Sequence, residues 1–155
     1  MAADLIDQRD ARTGLEELTQ RECLRLARTC ALGRLAVVVG DRPFVFPVNF
    51  ALDGDAVVLR TDAGTKLEGA RSGWVAFECD AIDSVYHTGW SVLITGEAEE
   101  VDDPAEIARL EQLPLGPWCE GPKPVWLRIR SRVITGRRIP LHGSKSTDRT
   151  QEVTS

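Results

Sequence analysis

The spacing of apolar residues changes once along the chain, from a helical period to an alternating one. Between Cys23 and Ala31 the apolar side chains fall on one side of a helix, and Thr19 with Glu22 forms a capping pattern that starts one. Gly33 is the predicted stop of this helix. Beyond it, apolar residues recur in short runs separated by turn residues, which is typical of antiparallel strands. The predicted strands are 35–39, 44–50, 56–61, 74–80, 86–101 and 125–130, with 133–139 as an extension of the last one past a kink.

Tight turns join most of these strands. The segment 52–55 contains an Asp-Gly pair that favours a hairpin. Gly89 and Gly96 lie inside the longest predicted strand and indicate bulges or a sharp bend. Pro47 cannot donate a backbone hydrogen bond, so it has to lie in an edge strand or at a bulge. Since long helices do not alternate with the strands, we predict a mainly β fold, an antiparallel barrel with an N-terminal helix and an inserted helix over 105–113 before the last strand.

The chain divides by composition into one domain and two terminal segments. Residues 1–14 are polar and are predicted to be flexible, residues 15–140 form the predicted domain, and 141–155 are predicted to be a disordered tail because they contain almost no aliphatic side chains. The sequence has no apolar segment of the length that a signal peptide or a membrane span requires. We therefore expect a cytoplasmic protein with no membrane partner.

The charge balance and the cysteines exclude further classes of function. Nineteen basic and twenty-four acidic residues give the 155-residue chain a net charge of −5, whereas proteins that bind duplexes carry a basic face, so no nucleic-acid partner is expected. The four cysteines lack CxxC spacing and are accompanied by two histidines. Buried free thiols are therefore the favoured interpretation over disulfides or a zinc site.

Cations and hydroxyls are concentrated at the end of the predicted strand 56–61 and at the start of a short predicted helix over 66–71. Backbone N–H groups at a helix start, hydroxyl groups and two cations are the donors that a phosphate attracts. On the residues alone, a solvated basic turn is the other interpretation. We predict that a phosphate-bearing cofactor binds at this cluster, which consists of Arg60, Thr61, Gly64, Thr65 and Lys66.

Four segments, taken in order, carry a resemblance to a known family. They read GRLAVVVGDRPFVFPVNFALDGDAVVLRTDAGTKL, WVAFECDAID, GWSVLITGEAEEV and WLRIRSRVITGRRI. This succession resembles the pyridoxamine-phosphate-oxidase-like flavoproteins, and more closely the branch that includes the nitroimidazole-resistance-type proteins of bacteria. The resemblance covers about residues 18–139. It implies an FMN-binding split β-barrel that forms a homodimer, with FMN bound at the dimer interface.

The resemblance also implies roles for individual residues. Arg60, Thr61, Thr65 and Lys66 would hold the phosphate. The edge of the flavin ring would lie against Pro47, Val48 and Asn49. Trp90 and Ser91 would reach the site from the bent strand, of the same chain or of the partner. Trp74 and Trp126, on alternating strands, are predicted to pack in the core instead. No arginine and histidine clamp for a vitamin B6 substrate is found in the last strand.

The chain lacks the sequence motifs of several other chemistries. It has no dinucleotide-binding glycine motif, no P-loop, no complete nucleophile elbow and no zinc-binding pattern. The chemistry is therefore expected from a bound cofactor. We predict an FMN-dependent oxidoreductase that acts between a reduced nicotinamide donor and a small organic molecule.

Two alternatives stay open at this stage. The first is the deazaflavin coenzyme on the same fold, whose longer acidic tail would require further cations, for which Lys123, Arg137 and Arg138 are available. The second is a non-enzymatic flavin or haem carrier, in which Tyr86, His87 or a cysteine would have to serve as the haem ligand.

Overall fold

The computed structural model describes residues 13–116 and 121–141. The predicted flexible N-terminus and disordered tail lie outside these ranges, apart from residues 13, 14 and 141. These two ranges contain eight strands and three helices. They are β1 Glu16–Glu17, α1 Gln20–Ala27, β2 Leu32–Val39, β3 Arg42–Asn49, β4 Ala51–Asp53, β5 Ala56–Thr61, α2 Thr65–Arg71, β6 Trp74–Asp83, β7 Thr88–Val101, α3 Pro104–Leu110 and β8 Val125–Ile139.

All strand pairs are antiparallel, and the sheet curls into a half-barrel. The strand order is β3-β2-β6-β7-β8-β5-β4, with β1 added along β8. The predicted mainly β split barrel, with a helix before the sheet and another before the last strand, is confirmed. The two strands that the sequence did not indicate, β1 and β4, are two and three residues long, too short to show a period.

The curl comes from a bulge in the longest strand pair, β7 with β8. The register shifts between Thr95 and Gly96, so that Arg132 of β8 is the extra residue with no residue of β7 opposite it in the backbone pairing. A Cβ atom at Gly96 would collide with the carbonyl oxygen of Arg130, so the backbones approach closely here. The predicted bend at Gly96 is confirmed. Gly89, by contrast, pairs regularly with both neighbouring strands, so a bulge at that position was a wrong prediction.

The first helix begins as predicted and ends early. The Thr19 hydroxyl accepts a hydrogen bond from the backbone N–H of Glu22 at 3.2 Å. The helix ends at Ala27, whereas Gly33, the predicted stop, lies inside β2. A Cβ atom at Gly33 would overlap the Phe77 ring, so this glycine serves packing between strands and not helix termination. Cys30 and Ala31 therefore belong to the connection to β2.

The main core lies on the inner face of the sheet, under the first two helices. Leu35 and Val37 of β2 and Phe77 of β6 are buried there, and the rings of Phe77 and Phe50 meet edge to face with their centroids 4.6 Å apart. Trp126 is buried, as predicted, in a smaller cluster under α3 with Val58 and Leu110. Trp74 was wrongly predicted to pack in the core, since 56% of its surface is exposed on the outer face.

The edge position predicted for Pro47 is confirmed, because β3 ends the sheet and pairs with β2 alone. Both of its prolines are therefore tolerated. Within the two described ranges, no helix is long and apolar enough to span a membrane.

Helix α2 can lie close to β2 because Gly69, which faces β2, has no side chain. A Cβ atom at Gly69 would lie 2.5 Å from Cβ and Cγ2 of Val37. We expect Gly69→Ala to lower the free energy of unfolding by about 1–3 kcal/mol through overpacking. Denaturant unfolding followed by circular dichroism measures this loss. Gly116→Ala is the control, since no atom lies within 4 Å of its Cβ position, and equal losses in the two variants would contradict the packing argument.

The ion pairs of Glu22 make the docking of α1 on β8 depend on pH. Its carboxylate accepts hydrogen bonds from Arg25 at 2.7 Å and from Arg138 at 2.8 Å. These bonds lower the pKa of Glu22 from 4.5 to about 2. Since the pKa is lower in the folded state, the stabilisation is complete above pH 4.5 and is lost as the pH falls towards 2.

We therefore expect the stability difference between the protein and its Glu22→Gln variant to be constant near neutral pH and to vanish between pH 4.5 and about 2. Denaturant titrations at a series of pH values measure this difference. A difference that stays constant down to pH 2 would show that the ion pairs do not stabilise the docked helix.

Candidate functional site

One cavity of about 360 Å³ lies where the end of β3 approaches the end of β5 and the start of α2. Five of the ten residues predicted for the site line this cavity together: Pro47, Val48, Asn49, Arg60 and Lys66. The remaining lining residues are Leu32, Leu115, Gly121, Pro122 and Lys123. The cavity is thus built mostly from apolar side chains with three cations, and none of its described lining residues is acidic.

The end of β3 is fixed to the chain that precedes β2. The Asn49 side-chain Nδ2 donates to the carbonyl oxygen of Ala31 at 3.2 Å, and the backbone N–H of Phe50 donates to the same oxygen at 3.2 Å. Val48 is buried in the core, whereas Pro47 is exposed. The edge strand therefore presents a fixed backbone to the cavity, and its outer edge carries no further strand of the described chain.

Arg60 is held by its surroundings on two sides. It lies one residue before the end of β5, directly opposite Trp126 of β8, and its guanidinium carbon is 5.0 Å from the centre of the Trp126 ring. Its Nε donates to the carbonyl oxygen of Lys123 at 3.0 Å. A guanidinium has five N–H donors, so these contacts leave the donors of its two terminal nitrogens for another partner.

Lys66 lies in the first turn of α2, and its Nζ is 5.7 Å from the centre of the Phe46 ring. Helix α2 packs its buried residues Leu67 and Ala70 into the core, which sets the position of the Lys66 backbone. The short helix thus fixes where this cation enters the cavity, while the side chain keeps its three donors.

The cations of the cavity differ from most arginines of the described chain in having no acidic partner. Within the described ranges, no carboxylate forms an ion pair with Arg60, Lys66 or Lys123. In a chain of net charge −5, these cations form a local region of uncompensated positive charge, which attracts an anion. The arginines that do pair with carboxylates are Arg25, Arg34, Arg71, Arg109, Arg128, Arg130, Arg132, Arg137 and Arg138.

Three residues of the predicted phosphate cluster flank the cavity without lining it. Thr61 is completely buried, and its hydroxyl donates to the carbonyl oxygen of Asp62 at 3.2 Å. Gly64 and Thr65 are exposed at the start of α2, where Gly64 has a φ of 150° that few other residues adopt. Gly64 therefore lets the chain turn from β5 into the helix that carries Lys66.

The structure does not bring Trp90 and Ser91 to the cavity of their own chain. They lie on β7, where Trp90 pairs with Ala81 and Arg138 and lines a separate groove beside β6 and the end of β8. Ser91 is exposed. Any contribution of these two residues to the cavity would have to come from a second copy of the chain.

Four lining residues were not predicted. Leu32 lies at the start of β2, three residues before the strand predicted from sequence, and Leu115, Gly121 and Pro122 belong to the connection between α3 and β8. The sequence does contain one indication that this connection contributes to a site, namely the concentration of proline and glycine over 113–124. Such residues mark a long loop, and long loops often carry functional residues.

The other chemically reactive side chains lie elsewhere. Cys23 and Cys79 are buried and Cys30 is half-buried, and burial raises the pKa of the Cys79 thiol to about 12. Such thiols are poor nucleophiles. His87 is exposed in the turn after β6 with a φ of 52°, and neither it nor Tyr86 lines the cavity. Cys119 and His142 lie outside the described residues.

No set of three His, Cys, Asp or Glu side chains within residues 13–116 and 121–141 could hold a metal ion. Of the cations named for a longer coenzyme tail, Lys123 lines the cavity. Arg137 and Arg138 lie outside it and pair with Glu17 and with Glu16 and Glu22.

Comparisons with known proteins agree with this architecture. A family model described as pyridoxamine 5′-phosphate oxidase matches residues 19–138. The structure of an FAD binding protein from Mycobacterium smegmatis is 38% identical, with a TM-score of 0.70, and the match covers 80% of this chain and 99% of that one. A putative pyridoxamine 5′-phosphate oxidase from Corynebacterium glutamicum is 35% identical, with a TM-score of 0.73 over 82% of this chain and 94% of that one.

A more distant structure shares the fold alone. It is a putative 5-nitroimidazole antibiotic resistance protein from Bacteroides thetaiotaomicron, 16% identical with a TM-score of 0.66, and the match covers 81% of this chain and 89% of that one. The resemblance noted in the sequence is thus confirmed at the level of family and fold.

Proposed function

The chain belongs to the pyridoxamine 5′-phosphate oxidase-like family, and from this premise we propose that it is a flavin-dependent oxidoreductase that binds FMN. The observation that carries the proposal is the pair of cations without acidic partners, Arg60 and Lys66, in a mostly apolar cavity of about 360 Å³. A flavin nucleotide combines a flat, largely apolar ring with a phosphate, so it requires both kinds of surface in one site.

The residues of the cavity fit the two parts of FMN separately. Arg60 and Lys66 would hold the phosphate, because charge-assisted hydrogen bonds to phosphate are about twice as strong as neutral ones. The ring would lie against the apolar walls at Pro47 and Val48, beside the open edge of β3. Asn49 and the backbone of this strand supply polar groups at that edge, where ring heteroatoms can be recognised.

Bound FMN would supply the hydride or electron transfer between a reduced nicotinamide donor and a small organic molecule, for which the protein has no suitable group of its own. The contribution of the chain is position and charge. Arg60, Lys66 and Lys123 lower the free energy of negative charge in the cavity, and the apolar walls strengthen this effect by excluding water.

FAD is the second candidate, and two observations favour it. The 38% identical protein from Mycobacterium smegmatis is an FAD binding protein. In addition, Lys123 is a third cation of the same cavity, and FAD carries one phosphate more than FMN. The deazaflavin coenzyme has less support, because Arg137 and Arg138 are engaged by acids of β1 and α1.

We further propose that the protein is a homodimer formed by the outer face of the sheet. Small and apolar residues form a row across five adjacent strands, in the order Val45, Ala36, Ala76, Thr95 and Val133. Val45 and Val133 are at least half exposed. A continuous apolar surface of this kind is typical of an interface.

The outer face and the cavity together favour a second copy of this chain as the partner that binds to this face. Trp74, Val38 and Leu93 extend the apolar row on the same face and are also exposed. Pro47, which lines the cavity, is paired with Arg34 at the margin of this face. A symmetric partner seated there would lie beside the cavity and could supply Ser91, which is exposed on this face, whereas Trp90 is on the inner face of β7 and packs against the main core.

Loss of either cavity cation should weaken FMN binding. We expect Arg60→Ala and Lys66→Ala each to raise the Kd of the FMN complex by roughly 10- to 100-fold, since a hydrogen bond to a charged group contributes about 1.5–3 kcal/mol. Quenching of flavin fluorescence on titration of the apoprotein measures the Kd. Arg42→Ala is the matched control, because Arg42 is an exposed cation at the start of β3 that does not line the cavity.

Two results would count against parts of this proposal. If both cavity variants bind FMN as tightly as the unmodified protein, the phosphate is not held at Arg60 and Lys66. If the FMN complex forms but reduced nicotinamides do not bleach its visible absorbance under anaerobic conditions, the protein is a flavin carrier and not an oxidoreductase with that donor.

The proposed interface predicts a separate effect on assembly. We expect Trp74→Glu to weaken dimerisation by about 30-fold or more, because a buried interface tryptophan typically contributes 2 kcal/mol or more. Sedimentation velocity over a range of concentrations measures the dimer constant. Val85→Asp is the control, since Val85 is 81% exposed at the turn after β6. A protein that sediments as a monomer before any substitution would remove the dimer from the proposal.

A further inference from the structure

We infer that Trp126 and Phe46 are positioning residues that hold the two phosphate-binding cations in place. The inference rests on the proposed function, because it concerns the same cavity. Neither ring lines the cavity. Arg60 lies over Trp126 at 5.0 Å and Lys66 lies over Phe46 at 5.7 Å, both within the distance at which a cation is attracted by the face of an aromatic ring.

Trp126 is a rigid platform for Arg60. Its side chain is 4% exposed and packs in the smaller core cluster with Val58 and Leu110. Because Arg60 and Trp126 are directly opposite each other in the antiparallel pair of β5 and β8, their side chains share one face of the sheet. The ring fixes the plane of the guanidinium, and the Lys123 carbonyl fixes its Nε at 3.0 Å. An exposed arginine is thus held in one orientation before any ligand binds.

Phe46 positions Lys66 as Trp126 positions Arg60, and a second aromatic ring packs against Phe46. The rings of Phe46 and Phe44 are stacked, with their centroids 6.2 Å apart and an angle of 7° between their planes. Both phenylalanines are half-buried and lie two residues apart on the same face of β3. The ammonium of a lysine is otherwise free to adopt many rotamers, and its attraction to a fixed ring restricts that freedom near the cavity.

The consequence is specific to the phosphate part of the ligand. Restricting a side chain before binding reduces the entropy lost when the ligand binds, so it raises affinity without a new contact. Because the rings act through Arg60 and Lys66, they should affect FMN, which has a phosphate, and leave the affinity for riboflavin, which has none, almost unchanged. A purely structural role would change both affinities together.

The experiment measures the ratio of the riboflavin Kd to the FMN Kd for the apoprotein by fluorescence quenching. We expect Trp126→Leu to lower this ratio by about two- to fivefold, and Trp126→Phe, which keeps an aromatic face, to preserve most of it. Leu110→Ala is the matched control, because it damages the same core cluster without removing the ring beneath Arg60. In an Arg60→Ala background, Trp126→Leu should leave the ratio unchanged.

Phe46→Leu provides a second test, at a side chain that is only half-buried and whose replacement therefore disturbs the core less than that of Trp126. It should lower the same ratio by about two- to fivefold, and this effect should disappear in a Lys66→Ala background. Phe44→Leu is the graded comparison, since it removes the ring stacked on Phe46 but keeps the contact of Phe46 with Lys66, so its effect on the ratio should be smaller than that of Phe46→Leu.

The outcomes separate this inference from the proposed function. If the unmodified protein binds FMN more tightly than riboflavin but the ratio is unchanged in Trp126→Leu and Phe46→Leu, the inference is overturned and the proposed function stands. An effect that persists after the cation is removed also overturns it. If the unmodified protein shows no preference for FMN over riboflavin, the phosphate site fails and the inference fails with it.

Discussion

The long pairing of β7 with β8, bent at the bulge beside Gly96, is the constraint on which the rest of this structure depends. On one side of the bend the sheet continues through β6 and β2 to the edge strand β3, and on the other side β8 pairs with β5. The curl brings the ends of β3 and β5 to one place, although neither strand is paired with the other. The cavity lies there, and Leu115, Gly121, Pro122 and Lys123, which follow α3 and precede β8, complete its lining.

Charge distribution gives this cavity its chemical character. Most arginines of the described chain are paired with carboxylates, which lie on β1, β4, β6, β7, α1 and α3, so many acids of this chain of net charge −5 are already engaged away from the cavity. The two cations at the end of β5 and the start of α2, Arg60 and Lys66, are stabilised by the aromatic faces of Trp126 and Phe46, which leave their donors unused. A cation held by a ring retains its capacity for an anion, whereas one held by a carboxylate does not.

Sequence reasoning indicated which residues come together where the relevant information is local. The structure brings Arg60, Lys66 and the segment Pro47–Asn49 to one cavity, and each lies at a strand end or a helix start that proline, glycine and the change of period mark directly. The position of the Thr61 side chain was not predicted in this way. Because side chains alternate along a strand, Thr61 faces the core on the opposite side of β5 from Arg60. Leu32, Gly121 and Pro122 reach the cavity through pairing and loop closure between residues far apart in sequence, which no local pattern records.

The errors have physical causes of the same kind. Gly33 was assigned to a helix end because glycine is common there, but it is required by its contact with Phe77 across the sheet. Trp74 was assigned to the core because its strand alternates, but alternation does not reveal which of two faces is covered. Its 56% exposure places it on the outer face of the sheet, where the proposed dimer interface lies.

The central claim, that this cavity holds a flavin through its phosphate, is tested most directly by the visible absorption spectrum of the purified protein and the mass of the chromophore it releases. The account predicts a flavin spectrum and the mass of FMN. Release of FAD would retain the flavin and add a second phosphate to be bound beside Lys123. A colourless protein that remains colourless after incubation with FMN and with FAD would contradict the account.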